Sequence, residues 1–179
     1  MNVQIKLISY LLHYPDDSLL SLLPALRQVL NETENVSARD KYDQILSYIE
    51  QTPLIQLQEQ YTETFDLNSS NCMNLTYHRW GDTEKRGPAL VHLEETYLKA
   101  GFQRISSELP DYLPLVLEFI SEQPDAAGSE IIPIYGEVVG SLAERLREAG
   151  HPYALLFEQL IDILGLSEAT SAIQTKTTE

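Results

Sequence analysis

Three stretches of the chain concentrate side chains capable of chemistry. The first, Leu75 to Leu90, gathers His78, Trp80, Asp82, Arg86 and two glycines. The second, Glu108 to Phe119, opens with Glu108, Pro110, Asp111 and Tyr112. The third runs Gln60-Tyr-Thr-Glu-Thr-Phe-Asp66. His78 and Asp82 are four residues apart, so on a helix they would share a face as metal ligands. Gly81 lies between them, however, and no second histidine has suitable partners: His13, His92 and His151 stand alone. Glu108 and Asp111 could act as paired carboxylates in acid–base work. Set against this, Asp111 can cap the helix that follows, and Glu108 can pair with a cation such as Arg86. That structural reading outweighs catalysis, because helix caps far outnumber catalytic pairs. Cys72 has no basic residue nearby before Arg79, and the spacing suggests no His–Cys dyad, so nothing marks it as a nucleophile. Trp80 sits in a charged, glycine-flanked stretch, as either a lid on the core or an anchor for a bound peptide.

The elements that must position these residues are helical. Tyr153, Leu156, Phe157, Leu160, Ile161 and Leu164 form one apolar stripe at 3.6 spacing, with Pro152 at its start and Gly165 past its end. Tyr135, Val139, Leu142 and Leu146 form another, ended by Gly150. Earlier spacing predicts helices over Val3–His13, Ser18–Leu30, Ala38–Glu50, Pro53–Phe65, Lys85–Ala100 and a sixth from Asp111 to Glu122. Asp16 and Asp17 are cap candidates for the second, and Pro24 must kink or split it. Ser37 to Asp40 resembles a capping box for the third. Leu75 to Trp80 reads as short and extended, broken by Gly81-Asp82. Most helical aromatics, among them Tyr61, Phe65, Tyr97, Tyr112, Phe119, Tyr153 and Phe157, are core candidates. The expected fold is all-α, a single-domain bundle of seven to eight helices over residues 1–166. Its long connectors cover 66–72, 73–84 and 103–110, and a polar tail follows at 167–179. Function belongs in those connectors or the grooves beside them.

Composition bounds the partners. The chain has 179 residues, 43% of them hydrophobic and 22% charged, which is ordinary globular usage. Twelve Lys and Arg against 27 Asp and Glu leave a net charge of −15. Such a surface repels nucleic acid and anionic lipid, and it attracts a basic ligand or peptide. One cysteine permits neither an intrachain disulfide nor a four-cysteine zinc site. The first 15 residues read as an amphipathic helix rather than a signal peptide, and no run is long enough to span a bilayer. A soluble cytoplasmic protein is expected.

The motifs resemble those of one family. Tyr14-Pro-Asp16, Gln60 to Asp66, Leu75-Thr-Tyr-His78 with Gly81-Asp82 and Arg86-Gly87, and Glu108-Leu-Pro-Asp-Tyr-Leu-Pro-Leu115 with Leu117-Glu-Phe119 follow in that family's order. These are the nitrate reductase molybdenum-cofactor assembly chaperones, the NarJ or delta-subunit type. They fall within the redox-enzyme maturation proteins that include the trimethylamine-oxide and dimethyl-sulfoxide reductase chaperones. The resemblance spans residues 1 to about 165, and its most specific piece is the acidic-Leu-Pro-Asp motif. It implies an all-helical cytoplasmic chaperone, not an enzyme, with no cofactor or metal of its own. The implied partner is the N-terminal segment of the apo catalytic (alpha) subunit of respiratory nitrate reductase. That subunit is held competent for molybdenum-cofactor insertion before it docks to the membrane. The cofactor-delivery machinery is a further implied partner, and monomer and dimer both stay open. Glu108, Pro110, Asp111 and Tyr112, with His78, Asp82 and Arg86, would shape or border the partner site. Some relatives carry a longer acidic C-terminal extension, whereas this chain ends in Thr- and Ser-rich residues.

The residues themselves suggest a trough walled by the helices around 53–65, 85–100 and 111–122 and roofed by 73–84. Two other readings compete: an adaptor for another molybdoenzyme subunit, and a metal-dependent hydrolase using His78, Asp82 and Glu108.

Overall fold

The computed structural model describes residues 1–31, 35–125 and 130–166. Among them run nine α-helices: α1 (Val3–Leu11), α2 (Asp17–Asn31), α3 (Val36–Gln51), α4 (Leu54–Tyr61), α5 (Leu75–Trp80), α6 (Arg86–Lys99), α7 (Leu113–Glu122), α8 (Ile132–Glu148) and α9 (Ala154–Leu164). The described residues contain no strand, only an isolated antiparallel bridge between Asn74 and Tyr112. The expected tail at 167–179 lies outside the described residues.

The core is built around α1 and α7. The α7 helix is largely apolar: Leu113 through Leu117, Phe119 and Ile120 are all buried, and Glu118 and Glu122 reach the surface beside Lys6. A helix of that composition must be enclosed by others. The α1 helix lies antiparallel to it. Asn2 N donates to Ser121 O at 2.7 Å, Lys6 Nζ reaches Glu118 at 2.8 Å, and the buried Ser9 hydroxyl donates to Pro114 O at 2.7 Å. Helices α8 and α9 form a hairpin turned by Gly150, whose φ of 63° suits a residue without Cβ. Lys41 to Glu158 (3.0 Å) joins α3 to α9, and Arg27 ties α2 to Glu50 and Asp43 on α3.

Several local expectations change. The helix over Val36–Gln51 is capped by Asn35, whose side chain accepts from Ala38 N, and not by the Ser37–Asp40 box. Asp16, rather than Asp17, caps α2, with its carboxylate accepting from Leu19 N at 2.8 Å. Pro24 does not split α2, which runs unbroken through it. The fourth helix changes period: after Tyr61 a π-turn covers Thr62–Asp66, and Leu67 N donates to Thr62 O at 2.9 Å. Such an inserted residue shifts which side chains face the interior, and π-turns recur at functional sites.

The largest correction concerns Leu75–Trp80, which is helical, not extended. Its cap comes from far along the chain. Asp111 does not cap α7, where Tyr112 stands at the N-cap without a side-chain bond. Instead its fully buried carboxylate accepts from Thr76 N (3.0 Å), from the Thr76 hydroxyl and from Asn74 Nδ2 (3.0 Å). Leu75 N also donates to Asp111 O at 3.0 Å, and Leu113 N to Met73 O at 2.8 Å. A six-residue helix has little stability of its own. A capping carboxylate supplied by a remote segment is what sequence periodicity cannot show. Gly81 then ends α5 at φ 53°, ψ −139°, a conformation reserved for glycine.

Candidate functional site

A groove opens between the α1–α2 junction, the π-turn and the connector ahead of α7. It has two lobes. One, of about 470 Å³, is lined by Tyr10, His13, Asp16, Leu22 and Glu118, among others. The other, of about 380 Å³, is lined by Tyr61, Phe65, Asp66 and residues 72–74. Tyr14, Glu108 and Tyr112 line both, so the lobes are continuous.

Each wall has a local cause. The α1 helix ends at Leu11, short of Pro15, and Tyr14 in the link between them is 45% exposed. The link is pinned by Gln58 Nε2, which donates to Pro15 O at 2.9 Å. Tyr10 lies off the buried stripe of α1 and is 41% exposed. The floor is aromatic. Tyr14 meets Tyr61 edge-on at 5.4 Å, and Tyr61 packs on Phe65 at 4.9 Å. The Tyr61 hydroxyl bonds Leu12 O (3.0 Å) and the Tyr112 hydroxyl (2.9 Å). A carbonyl only accepts, so Tyr61 donates to Leu12 and Tyr112 donates to Tyr61. Burial pushes the Tyr112 phenol up to about 12 and raises that of Tyr61 further. Both stay neutral, which keeps this floor apolar.

The rim is acidic. Asp16, Asp66, Glu108 and Glu118 line the groove, and no Lys or Arg does. Glu118 is paired with Lys6 and Asp16 is used as a cap. Partial burial raises the Asp66 carboxyl, as expected where no cation offsets the lost hydration. Such a groove accepts an apolar or aromatic face and prefers cations along its edge.

The structure distributes the sequence-predicted residues unevenly. Glu108 and Tyr112 line the groove. Pro110 and Asp111 are buried behind them. Arg86 stands further back: its Nε donates to Thr76 Oγ1 at 3.1 Å, and its Nη2 lies 3.9 Å from the Asp111 carboxylate. It pairs with Asp111, not with Glu108 as the sequence suggested. Asp82 is exposed, 3.9 Å from Arg86. Trp80 takes the lid role: it is partly buried against the core and edge-on to Tyr135 at 6.3 Å, with Arg79 over its ring. The helix over 86–99 does not wall the groove, and of residues 73–84 only Met73 and Asn74 touch it. His78, Asp82 and Glu108 are not brought together, and among the described residues no three His, Cys, Asp or Glu side chains form a metal-binding group.

One pair that spacing concealed does meet. His78 Nε2 lies 3.6 Å from Cys72 Sγ, but it bonds Cys72 O at 2.7 Å. The carbonyl can only accept, so Nε2 carries the hydrogen and cannot serve as base to the thiol. Burial also raises the Cys72 thiol and lowers His78. Both trends oppose a thiolate–imidazolium pair.

Sequence reading undervalued Tyr10, Tyr14, Asp16 and Asp66. The available signals were the Tyr-Pro-Asp triplet at the end of α1 and an aromatic, Tyr10, off that helix's apolar stripe.

The fold is that of the redox enzyme maturation proteins. A crystal structure from Archaeoglobus fulgidus, described as a candidate protein of that kind, superposes with a TM-score of 0.67 at 25% identity, covering 90% of this chain and 91% of that one. Within this class, the chain belongs to the nitrate reductase delta subunit family, whose model matches residues 31–159. The chain is 35% identical over 161 residues to the "Probable nitrate reductase molybdenum cofactor assembly chaperone NarJ" of Bacillus subtilis (strain 168), covering 88% of this chain and 85% of that protein. It is 29% identical over 163 residues to the nitrate reductase molybdenum cofactor assembly chaperone NarJ of Escherichia coli (strain K12), covering 90% and 69%. Among the described residues no helix is long and apolar enough to cross a membrane.

Proposed function

We propose that this chain is a cytoplasmic, non-catalytic assembly chaperone for respiratory nitrate reductase. It binds the N-terminal segment of the apo catalytic subunit and keeps that subunit open for molybdenum-cofactor insertion before membrane docking. Family membership and the names of the relatives support the chaperone role. The observation that carries the binding mode is the two-lobed groove, with an aromatic floor, carboxylates on its edge and, among the described residues, no Lys or Arg in its lining.

The physical division of labour follows. Burying an amphipathic segment against Tyr10, Tyr14 and Tyr112 supplies most of the affinity. The rim carboxylates and the net charge of −15 speed encounter and select cationic segments. Asp111 and Arg86 act from behind, by fixing the backbone that carries Tyr112.

Calorimetric titration with the leading peptide of a candidate catalytic subunit tests this. Tyr112→Ala, in a chain that stays folded, is expected to weaken binding about tenfold or more. Added salt is expected to weaken it too, because exposed charges are screened over roughly 8 Å at physiological ionic strength. Unchanged affinity in folded Tyr112 and Tyr14 variants would exclude this groove.

A further inference from the structure

The connector wall of the groove has no apolar anchor along its length. At one end Phe102 packs on Phe119 at 5.5 Å. At the other Pro110 is buried, and its carbonyl accepts from the Tyr97 hydroxyl at 2.7 Å. Between these points every side chain from Gln103 to Leu109 is exposed except Arg104, and Ile105 is fully so. Burial therefore cannot hold this stretch in place.

Arg104 is the polar substitute. Its side chain is 19% exposed. Nε donates to the Glu94 carboxylate on α6 at 2.6 Å, and Nη1 donates to the backbone carbonyl of Glu108. One planar guanidinium thus spans from α6 to the residue that lines both lobes, a two-partner geometry that an ammonium does not reproduce. Within the loop, Ser106 Oγ accepts from Glu108 N at 3.1 Å.

We infer that Arg104 is a positioning residue for the acidic rim: it clamps the 104–108 turn against α6 and thereby presents Glu108 to a cationic client segment. This rests on the peptide-binding reading above. Charge and clamp predict opposite signs. As a bare cation beside a groove that attracts cations, Arg104 would oppose binding, and deleting it would tighten the complex. As a clamp, its loss weakens the complex.

The test uses the full chain, with Arg104→Met, Glu94→Ala, Glu108→Gln and the double variant R104M/E108Q. Calorimetry with the cationic leader peptide is paired with hydrogen exchange of the peptide-free protein. Arg104→Met is expected to weaken binding roughly threefold to fivefold, about the worth of one rim charge pair, and to speed exchange at residues 105–109. Glu94→Ala removes the other end of the clamp and, if Arg104→Met does not fold, should likewise speed exchange at 105–109; its exchange is the deciding readout, because losing a carboxylate weakens cationic-peptide binding on either account. The double variant should bind no worse than the weaker single variant. Tighter or equal binding in Arg104→Met, or losses that multiply in the double variant, would overturn the inference. So would unchanged exchange at 105–109. Failure of the unsubstituted chain to bind peptide would overturn the functional reading instead, and exchange, measured without peptide, tells the two failures apart.

Discussion

Asp111→Ala should be the most damaging single substitution near the groove, though Asp111 does not line it. The carboxylate is 0% exposed and accepts from Thr76 N, the Thr76 hydroxyl and Asn74 Nδ2. Thr76 is itself fully buried, so its amide would have no water to turn to. Arg86 would lose its buried counter-charge and keep Thr76, the exposed Asp82 and the Tyr77 ring 5.5 Å away. The hydrogen bonds share partners and cannot be summed. An orphaned buried donor costs about 1–3 kcal/mol, and Arg86, 21% exposed and still near Asp82, adds less than a fully buried charge would. With a urea m-value of about 2 kcal/mol per molar, the unfolding midpoint should fall by roughly 0.5–1.5 M. Asp111→Asn, which keeps one acceptor, should cost less. Thr76→Val should couple to it, so that the double variant is less destabilised than the two losses added. A midpoint shift under about 0.5 M for Asp111→Ala, or strict additivity with Thr76→Val, would refute the remote cap.

Three further outcomes follow from the geometry. Burial lowers His78 and His151 below the usual histidine value of 6.5, so the unfolded chain binds protons first. Stability should therefore hold above about pH 6.5 and decline as pH falls toward the lower folded values; melts at pH 7.5, 6.5 and 5.5 check this, and an unchanged slope after His78→Gln plus His151→Gln would contradict it. The Cys72 thiol, raised by burial, should react with a disulfide reagent more slowly than free cysteine at pH 7 and faster only in alkali; rapid labelling of folded protein at neutral pH would count against its inert role. Gly81→Ala should cost about 1–3 kcal/mol by denaturant titration, because no atom crowds the site and only the backbone at φ 53° is strained; a loss below about 0.3 kcal/mol would show that the turn tolerates a side chain.

Periodicity alone carries far in an all-helical chain, because each helix must bury a 3.6-spaced stripe and that spacing is written in consecutive residues. Tyr153 to Leu164 and Tyr135 to Leu146 lie where their stripes place them, and the glycines at 150 and 165 end them. The acidic balance likewise foretold the character of the groove's rim. Short elements were another matter. The α5 helix has only six residues, too few to show a period, and its stability comes from Asp111, 35 positions after Thr76. Local reading gave Asp111 to the helix beside it, since in sequence the nearest helix is the obvious claimant.

The groove shows the same division. The aromatic and acidic character of 60–66 and 108–112 was legible in the residue types. That Tyr14 and Asp16 join them was decided by how α1 packs along α7 and delivers its end beside the π-turn. The residue order dictated helices and charge, because those depend on composition and on neighbours within a few turns. Which side chains share one cavity, and which stand behind it as supports, depended on contacts spanning tens to about a hundred residues, and only the packed chain brings those together.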